Sequence, residues 1–517
     1  MRHIVIQCPK HYHDAFAASF ISQIGETMLR TLSAVGAIQV AIMVANLIRA
    51  KVIALLVGPE GVGVISIIDQ VVQVSGQLVA FSLPFMAVKF LSRTYSETYD
   101  SFQQSYTGIL NTLMFITGAG TVLLVLLTLV KPEWLGSELY TYRLLLLPGL
   151  LAIPAAKIHG FSWQVLAAAG RVRSSALMVL GIAVTLALSS IVGITVGGLE
   201  GFYWANTLAS FGIVVVLLIY FQRALQLRFR VGLPRLRALI QQNPGIVQWS
   251  LIMYVTSFIT PLSLLVARYS VLSYYGEFEA GLLQAAIGVG AILGALLTPM
   301  LGLYLTPLVN RALAVEEKIA RTLEFQQQLL RIIGVLGMPI ILFSDWVLTL
   351  QYSPRFADAS MVLFLFIVAQ VFTQLAGIYQ ALLMGLDASW AYALSVMIGQ
   401  GVYITLTWVL TPTYGLSGVG VAALVSGCLL FVLTGLQLRR RFQMGFSRRL
   451  ILSTLYCVGA LLAAGWVNTY LDSSNFTVIA GRIAFYGVFV GSLWLITRQE
   501  PNPVYEDQPV LEKTPQG

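Results

Sequence analysis

Arg49 and Lys51 lie inside an apolar run, residues 31–57, that is long enough to cross a bilayer. A membrane span takes about 20 residues. A cation near its centre costs roughly 2.5–3.5 kcal/mol on insertion scales, so a charge kept there marks a polar path or an ion partner. Gln39, Asn46 and Arg49 follow one another at i, i+7 and i+10, which places them on one face of a helix. Lys51 points away from that face and lies nearer the helix end, where an ammonium can reach water along its alkyl stem. A second polar stripe runs through Ser250, Tyr254, Ser257, Pro261 and Arg268, with Pro261 expected to bend its helix and free carbonyls. Lys157, Gln284, Gln370 and Gln374 are further polar residues within apolar runs. Together these residues predict a wet central cavity with net positive charge toward its outer half. Asp69 has three readings: a partner for Arg49 or Lys51, a carrier of a coupling proton, or neither. His159 reads as a satisfied bundle histidine or a proton relay. Arg331 and Arg482 open their spans and read as interfacial.

The elements that must hold these groups are helices. Of the 517 residues 57% are hydrophobic and 10% charged, with mean hydropathy +0.82. Soluble domains carry about 25% charged residues, so the class is an all-α polytopic membrane protein. Hydropathy sets out fourteen candidate spans, near 31–57, 63–88, 106–130, 144–168, 174–196, 202–221, 246–270, 280–305, 328–350, 359–384, 389–411, 417–437, 450–470 and 477–497. The stretch Gly58-Pro59-Glu60-Gly61-Val62-Gly63 ends the first span abruptly, because Pro and repeated Gly interrupt a helix. Of 31 Lys and Arg, 22 fall on the face that holds the N-terminus, 3 on the opposite face and 6 within spans. Cytoplasmic loops are the Lys/Arg-rich ones, so both termini are expected in the cytoplasm. The formal net charge of +9 is explained by these loops and not by nucleic acid.

An internal repeat appears at a shift of 217–218 residues. Gly58 through Gly63 maps onto Gly276 through Gly281, Arg93 onto Arg311, Lys157 and Gly160 onto Gln374 and Gly377, and Gly198–Gly201 onto Gly415–Gly418. A shift of six spans preserves orientation, so the halves are related by an axis along the membrane normal. The expected organisation is a tail 1–30, a six-helix bundle 31–222, a basic linker 223–245, a second six-helix bundle 246–438, an extra helix pair 439–497 and a disordered tail 498–517. Residues 1–27 lack a long apolar core, and a start at Met28 is expected to suffice for function. Cys8, Cys428 and Cys457 are too scattered for a disulfide framework or zinc site, and the four histidines make no metal-spaced set. No Walker A motif is present, so any driving force comes from an ion gradient, the membrane potential or removal of product.

This pattern resembles the MOP superfamily of MATE-like exporters and lipid-linked oligosaccharide flippases, and within it the Wzx-type flippases of bacterial polysaccharide assembly. The resemblance spans residues 28–497. It is carried by Lys51 before Gly58–Gly63, Lys89 through Arg93, Phe343-Ser344-Asp345-Trp346, Tyr352-Ser353-Pro354-Arg355-Phe356 and the arginine cluster after the twelfth span. It implies a non-enzymatic flippase of the bacterial inner membrane that needs no cofactor. The cargo implied is an undecaprenyl pyrophosphate-linked oligosaccharide of the O-antigen or lipopolysaccharide type. Arg49, Lys51 and Arg268 would clamp the pyrophosphate, Arg with two parallel hydrogen bonds and Lys as a point charge. Gln39, Asn46, Asp69, Lys157, Tyr254, Gln284, Gln370 and Gln374 would line the cavity. A polysaccharide polymerase and chain-length proteins are the implied partners. The alternatives are an ion-coupled small-molecule exporter of the same fold, and a polysaccharide polymerase or ligase.

Overall fold

A computed structural model describes residues 10–81, 98–131, 136–227, 246–301, 314–444, 448–470 and 476–497, with single residues between them. For 10–35 and a few helix ends only the backbone is described. Lys89–Arg93 apart from Leu91, the match at Arg311, most of the linker 223–245 and the tails 1–9 and 498–517 lie outside the described residues. Among the described residues all regular structure is helical.

The elements are α1 (Lys10–Ala80), α2 (Tyr99–Val130), α3 (Gly136–Tyr140), α4 (Arg143–Leu151), α5 (Ile153–Ala168), α6 (Val172–Ala224) and α7 (Ile246–Met300). They continue with α8 (Val315–Leu342), α9 (Ser344–Gln351), a 3-10 turn (Pro354–Ala359), α10 (Ser360–Gly385), α11 (Ser389–Phe442), α12 (Arg448–Tyr470) and α13 (Phe476–Thr497). Helix α1 begins at Lys10, ahead of the expected span start at 31. Ten helices among the described residues are long and apolar enough to cross a membrane. Span four is divided into α4 and α5 at Ala152, between Pro148 and Pro154.

Four of the ten helices turn back on themselves. Each breaks at a glycine with positive φ: Gly58 at 67°, Gly198 at 58°, Gly276 at 85° and Gly415 at 58°. That region costs a side-chain-bearing residue and is open to glycine. At the first break Pro59 follows directly, and its fixed φ suits the first position of a new helix. The turns are tight. Arg268 Nη2 donates to Gln284 Oε1 at 2.6 Å across the Gly276 break. Sixteen residues of straight helix would hold them about 24 Å apart. A Cβ on Gly193 would lie 2.4 Å from the Gly201 carbonyl oxygen, and one on Gly418 would lie 2.7 Å from that of Leu410.

Hairpins α1 and α7 meet at their turns through a contact made twice. A Cβ on Gly63 would lie 2.1 Å from the carbonyl oxygen of Glu277, and one on Gly281 would lie 1.9 Å from that of Pro59. The pairs Gly63/Gly281 and Pro59/Glu277 both differ by 218 positions, so the repeated segments touch each other in the same way from both sides. From there the second limb of α1 runs antiparallel to the first limb of α7. Gln70 Nε2 donates to the Pro261 carbonyl at 2.7 Å. Tyr254 stacks on Phe81 with ring centroids 4.3 Å apart. Helix α7 keeps helical dihedrals through Pro261 and leaves them at Gly276.

The helix pair α12 and α13 is fixed to the rest through α8. Arg482 Nη1 donates to the carbonyl of Leu342, the last residue of α8, at 2.6 Å. Arg331 Nε donates to Thr497 Oγ1 at 2.5 Å, and its Nη2 donates to the Thr497 carbonyl at the end of α13. Each helix thus receives a guanidinium from the other at its C-terminus, where carbonyls lack intrahelical partners and the dipole is negative. Arg482 is only 2% exposed, enclosed against the end of α8. Arg482→Met is expected to remove about 1–3 kcal/mol of stability. The check is a lowered midpoint of thermal aggregation in detergent, partly restored by Arg482→Lys.

Candidate substrate cavity

The cavity sits between the folded-back limbs of α1 and the turn region of α7. Its volume is about 360 Å³, within the roughly 300–1,000 Å³ of small-molecule sites. The first limb of α1 contributes Asn46 and Arg49, and the second contributes Ser66, Asp69, Gln70 and Gln73. Arg268 and Gln284 face them from the two limbs of α7, and Tyr352 closes one side. The positions 66, 69, 70 and 73 follow helical spacing, so a single face of one helix supplies four polar groups. Among the described residues the lining carries two guanidiniums and one carboxylate.

The two arginines are held differently. The Arg49 guanidinium lies 5.5 Å from the centroid of the Phe202 ring, on the second limb of α6. A ring face attracts a cation at this range. Its Nε is buried without a hydrogen-bond partner. Arg268 donates Nη1 to Gln70 Oε1 and Nη2 to Gln284 Oε1, so its two prongs rest on neutral amides. Asp69 accepts a hydrogen bond from the Tyr203 hydroxyl at 3.2 Å and feels the charges of both Arg49 and Arg268. It is deep in the protein yet open to the cavity. Of its three readings, pairing with Lys51 has no support in this geometry.

The other expected site residues are placed as follows. Lys51 does not line the cavity. Its ammonium donates to the carbonyls of Thr349 at 3.1 Å and Tyr352 at 2.6 Å, at the C-terminal end of α9. There it stabilises a helix terminus, because residue 51 lies on the opposite side of α1 from residue 49. Lys51→Met is therefore expected to lower thermal stability while leaving the affinity for a diphosphate ligand within about threefold (about 0.6 kcal/mol). Gln39 is half-buried farther along α1, outside the lining. Lys157 packs its alkyl chain against Gly76, where a Cβ would lie 3.0 Å from Lys157 Cε. Gln374 donates to Gln370 at 3.2 Å along α10, and its amide nitrogen faces Gly294 of α7. Tyr254 belongs to the aromatic stack with Phe81. His159 Nε2 sits 3.0 Å from the Ser210 carbonyl. Ser66, Gln70, Gln73 and Tyr352 are cavity residues that the sequence reading missed, as is Tyr203, which holds Asp69 from outside the lining. The first three had a legible signal, the polar stripe on span two.

No family model matches the chain, and no curated protein matches its sequence. Solved structures do. A structure of "Lipid II flippase MurJ, inward closed conformation" superposes with TM-score 0.64 at 14% identity, over 90% of this chain and 99% of that one. An inward-facing multidrug resistance MATE family transporter of the MOP superfamily gives 0.63 at 14% identity, over 79% and 98%. A structure of the MATE multidrug transporter DinF-BH gives 0.58 at 18%, over 82% and 97%. The chain shares the fold of these structures. At these identities the likeness concerns the architecture alone. The match to the flippase extends over nearly its whole length, and it covers more of this chain than the MATE matches do.

Proposed function

We propose that the protein is a flippase that moves an undecaprenyl diphosphate-linked oligosaccharide from the cytoplasmic to the outer leaflet of a bacterial inner membrane. In this reading the ten apolar helices, four of them hairpins, make fourteen crossings with both termini in the cytoplasm. Residues 31–222 and 246–438 form two bundles that rock about a cavity between them, and the pair in 439–497 rides outside. The reading rests on one observation: Arg49 from the first half and Arg268 from the second line the same cavity. Two guanidiniums converging from opposite walls suit a diphosphate, whose two charges accept paired hydrogen bonds. The sugars would occupy the wet cavity and the prenyl chain the bilayer. A polysaccharide polymerase and chain-length proteins are natural recipients of the product.

The small-molecule exporter reading draws on Asp69, the carboxylate of the cavity. It is outweighed because a cationic substrate would meet two guanidiniums there. The experiment is translocation in proteoliposomes of a fluorescent undecaprenyl diphosphate-linked glycan, read by quenching in the outer leaflet. Protein-dependent translocation supports the reading. Transport of a cationic dye with no movement of the glycan lipid would overturn it.

A further inference from the structure

Gln70 occupies a position that neither charge nor hydropathy singles out. It is 2% exposed, in the middle of the second limb of α1. Its amide is used at both ends, and both partners lie on α7. Nε2 donates to the Pro261 carbonyl at 2.7 Å, and Oε1 accepts from Arg268 Nη1. One side chain therefore aims a cavity guanidinium and joins the two halves of the chain.

The halves are also bridged by Lys51, Gln351 and the Arg355–Glu60 pair at the first limb of α1 and the turn, but the join made by Gln70 has no counterpart in the repeat. The repeat mate of Gln70, 218 positions on, is Gly288, and the mate of Tyr254, 218 positions back, is Gly36. Glycine has no side chain with which to make either contact. The halves are thus tied along the seam between α1 and α7 by an amide and an aromatic stack that the related seam cannot reproduce.

The Arg268 side of the tie is weakly satisfied. Both Nη groups rest on neutral amide oxygens, and Nε is buried with no hydrogen-bond partner. A phosphate oxygen is a stronger acceptor for guanidinium than an amide oxygen. A diphosphate in the cavity would take Arg268 from Gln70 and leave the buried amide oxygen without its donor. A ligand shifts a conformational equilibrium only by its differential affinity for the two states, and this exchange supplies one.

We infer that Gln70 is a positioning residue and one tie between the lobes: it holds Arg268 toward the cavity, and a diphosphate that binds Arg268 loosens the seam between the second limb of α1 and the first limb of α7. The inference rests on the diphosphate reading for its trigger and on geometry alone for the tie.

The test uses the full chain in nanodiscs, with Cys8, Cys428 and Cys457 replaced and spin labels at Leu177 and Leu394. These two residues are exposed and are themselves repeat mates, 217 positions apart. The probe is farnesyl diphosphate. In the otherwise native protein, saturating probe should move the distance distribution. Gln70→Leu, which keeps the bulk and loses both hydrogen bonds, should show the moved distribution without probe. Gln70→Glu gives up the donor to the Pro261 carbonyl but pairs with Arg268 by charge, so it should keep the ligand-free distribution and need at least about tenfold more probe to leave it. Its near-identical shape guards against loss of fold in Gln70→Leu.

A ligand-free distribution of Gln70→Leu that matches the native one overturns the tie. So does a Gln70→Glu protein that responds to probe as the native one does. If Gln70→Leu shifts but the native protein ignores the probe, the tie stands and the diphosphate reading falls.

Discussion

Arg268→Ala is expected to cut translocation of the diphosphate-linked glycan by about 10- to 150-fold. Hydrogen bonds to charged groups contribute about 1.5–3 kcal/mol each, and every 1.4 kcal/mol is tenfold. Arg268 and Arg49 line the same cavity of about 360 Å³ from different halves of the chain, so losing either removes one of its two guanidiniums. Arg49→Ala should cost a similar factor. The double replacement strips the described lining of its cations, leaves the Asp69 carboxylate in place and should abolish transport. Arg268→Lys keeps the charge but loses the two-pronged geometry, and should fall between. Flux in proteoliposomes and surface polysaccharide in cells, each corrected for protein abundance, measure the effect. Native flux in the double variant would remove the clamp from consideration.

The second large effect is conformational. Gly281→Ala places a methyl group 1.9 Å from the Pro59 carbonyl oxygen, far inside contact distance. Backbone cannot yield as a side-chain tip does, so the contact between the hairpin turns must open. Overpacking of this kind costs about 1–3 kcal/mol, which moves a two-state equilibrium about 5- to 150-fold. Gly63→Ala meets the Glu277 carbonyl oxygen at 2.1 Å and should act in the same direction. The readout is a cysteine at Ser66, a cavity residue on α1. Its labelling by a membrane-impermeant thiol reagent, applied from the side opposite the termini, should rise sharply in either variant. Equal labelling in native and variant proteins would show that the paired glycines do not close the cavity.

Much of this architecture could be read from residue patterns, for physical reasons that differ by element. Long apolar runs and the breaks at Gly58, Gly198, Gly276 and Gly415 are local, because a span needs only its own residues and a left-handed turn needs only its glycine. Arg49 and Arg268 stand out because charge in hydrocarbon is costly. Lys51 stands out equally, and nothing local distinguishes a cavity cation from one that caps a distant helix such as α9. Arg482 and Arg331 escape a local reading for the same reason, since their carbonyl partners lie more than a hundred residues away. Gln70 and Gln73 are easily passed over because an uncharged amide barely alters the hydropathy of an apolar run. The spacing of Ser66, Asp69, Gln70 and Gln73 carries the information instead. Lys157 and Gln374, expected in the shared cavity as repeat mates, sit elsewhere: one against Gly76 of α1, the other against Gly294 of α7.

The exchange of arginines between α8 and α13 also bears on biosynthesis. Leu342 emerges from the ribosome 140 residues before Arg482, the residue that satisfies its carbonyl. At about 5–20 residues per second that interval is roughly 7–28 s. During it the C-terminus of α8 must wait in or near hydrocarbon, where an unsatisfied backbone group costs several kcal/mol. The nascent chain should therefore engage membrane insertases or chaperones at this stage. Chains truncated before Phe476 should be cleared by membrane proteases although every described residue of the cavity lining has already been made.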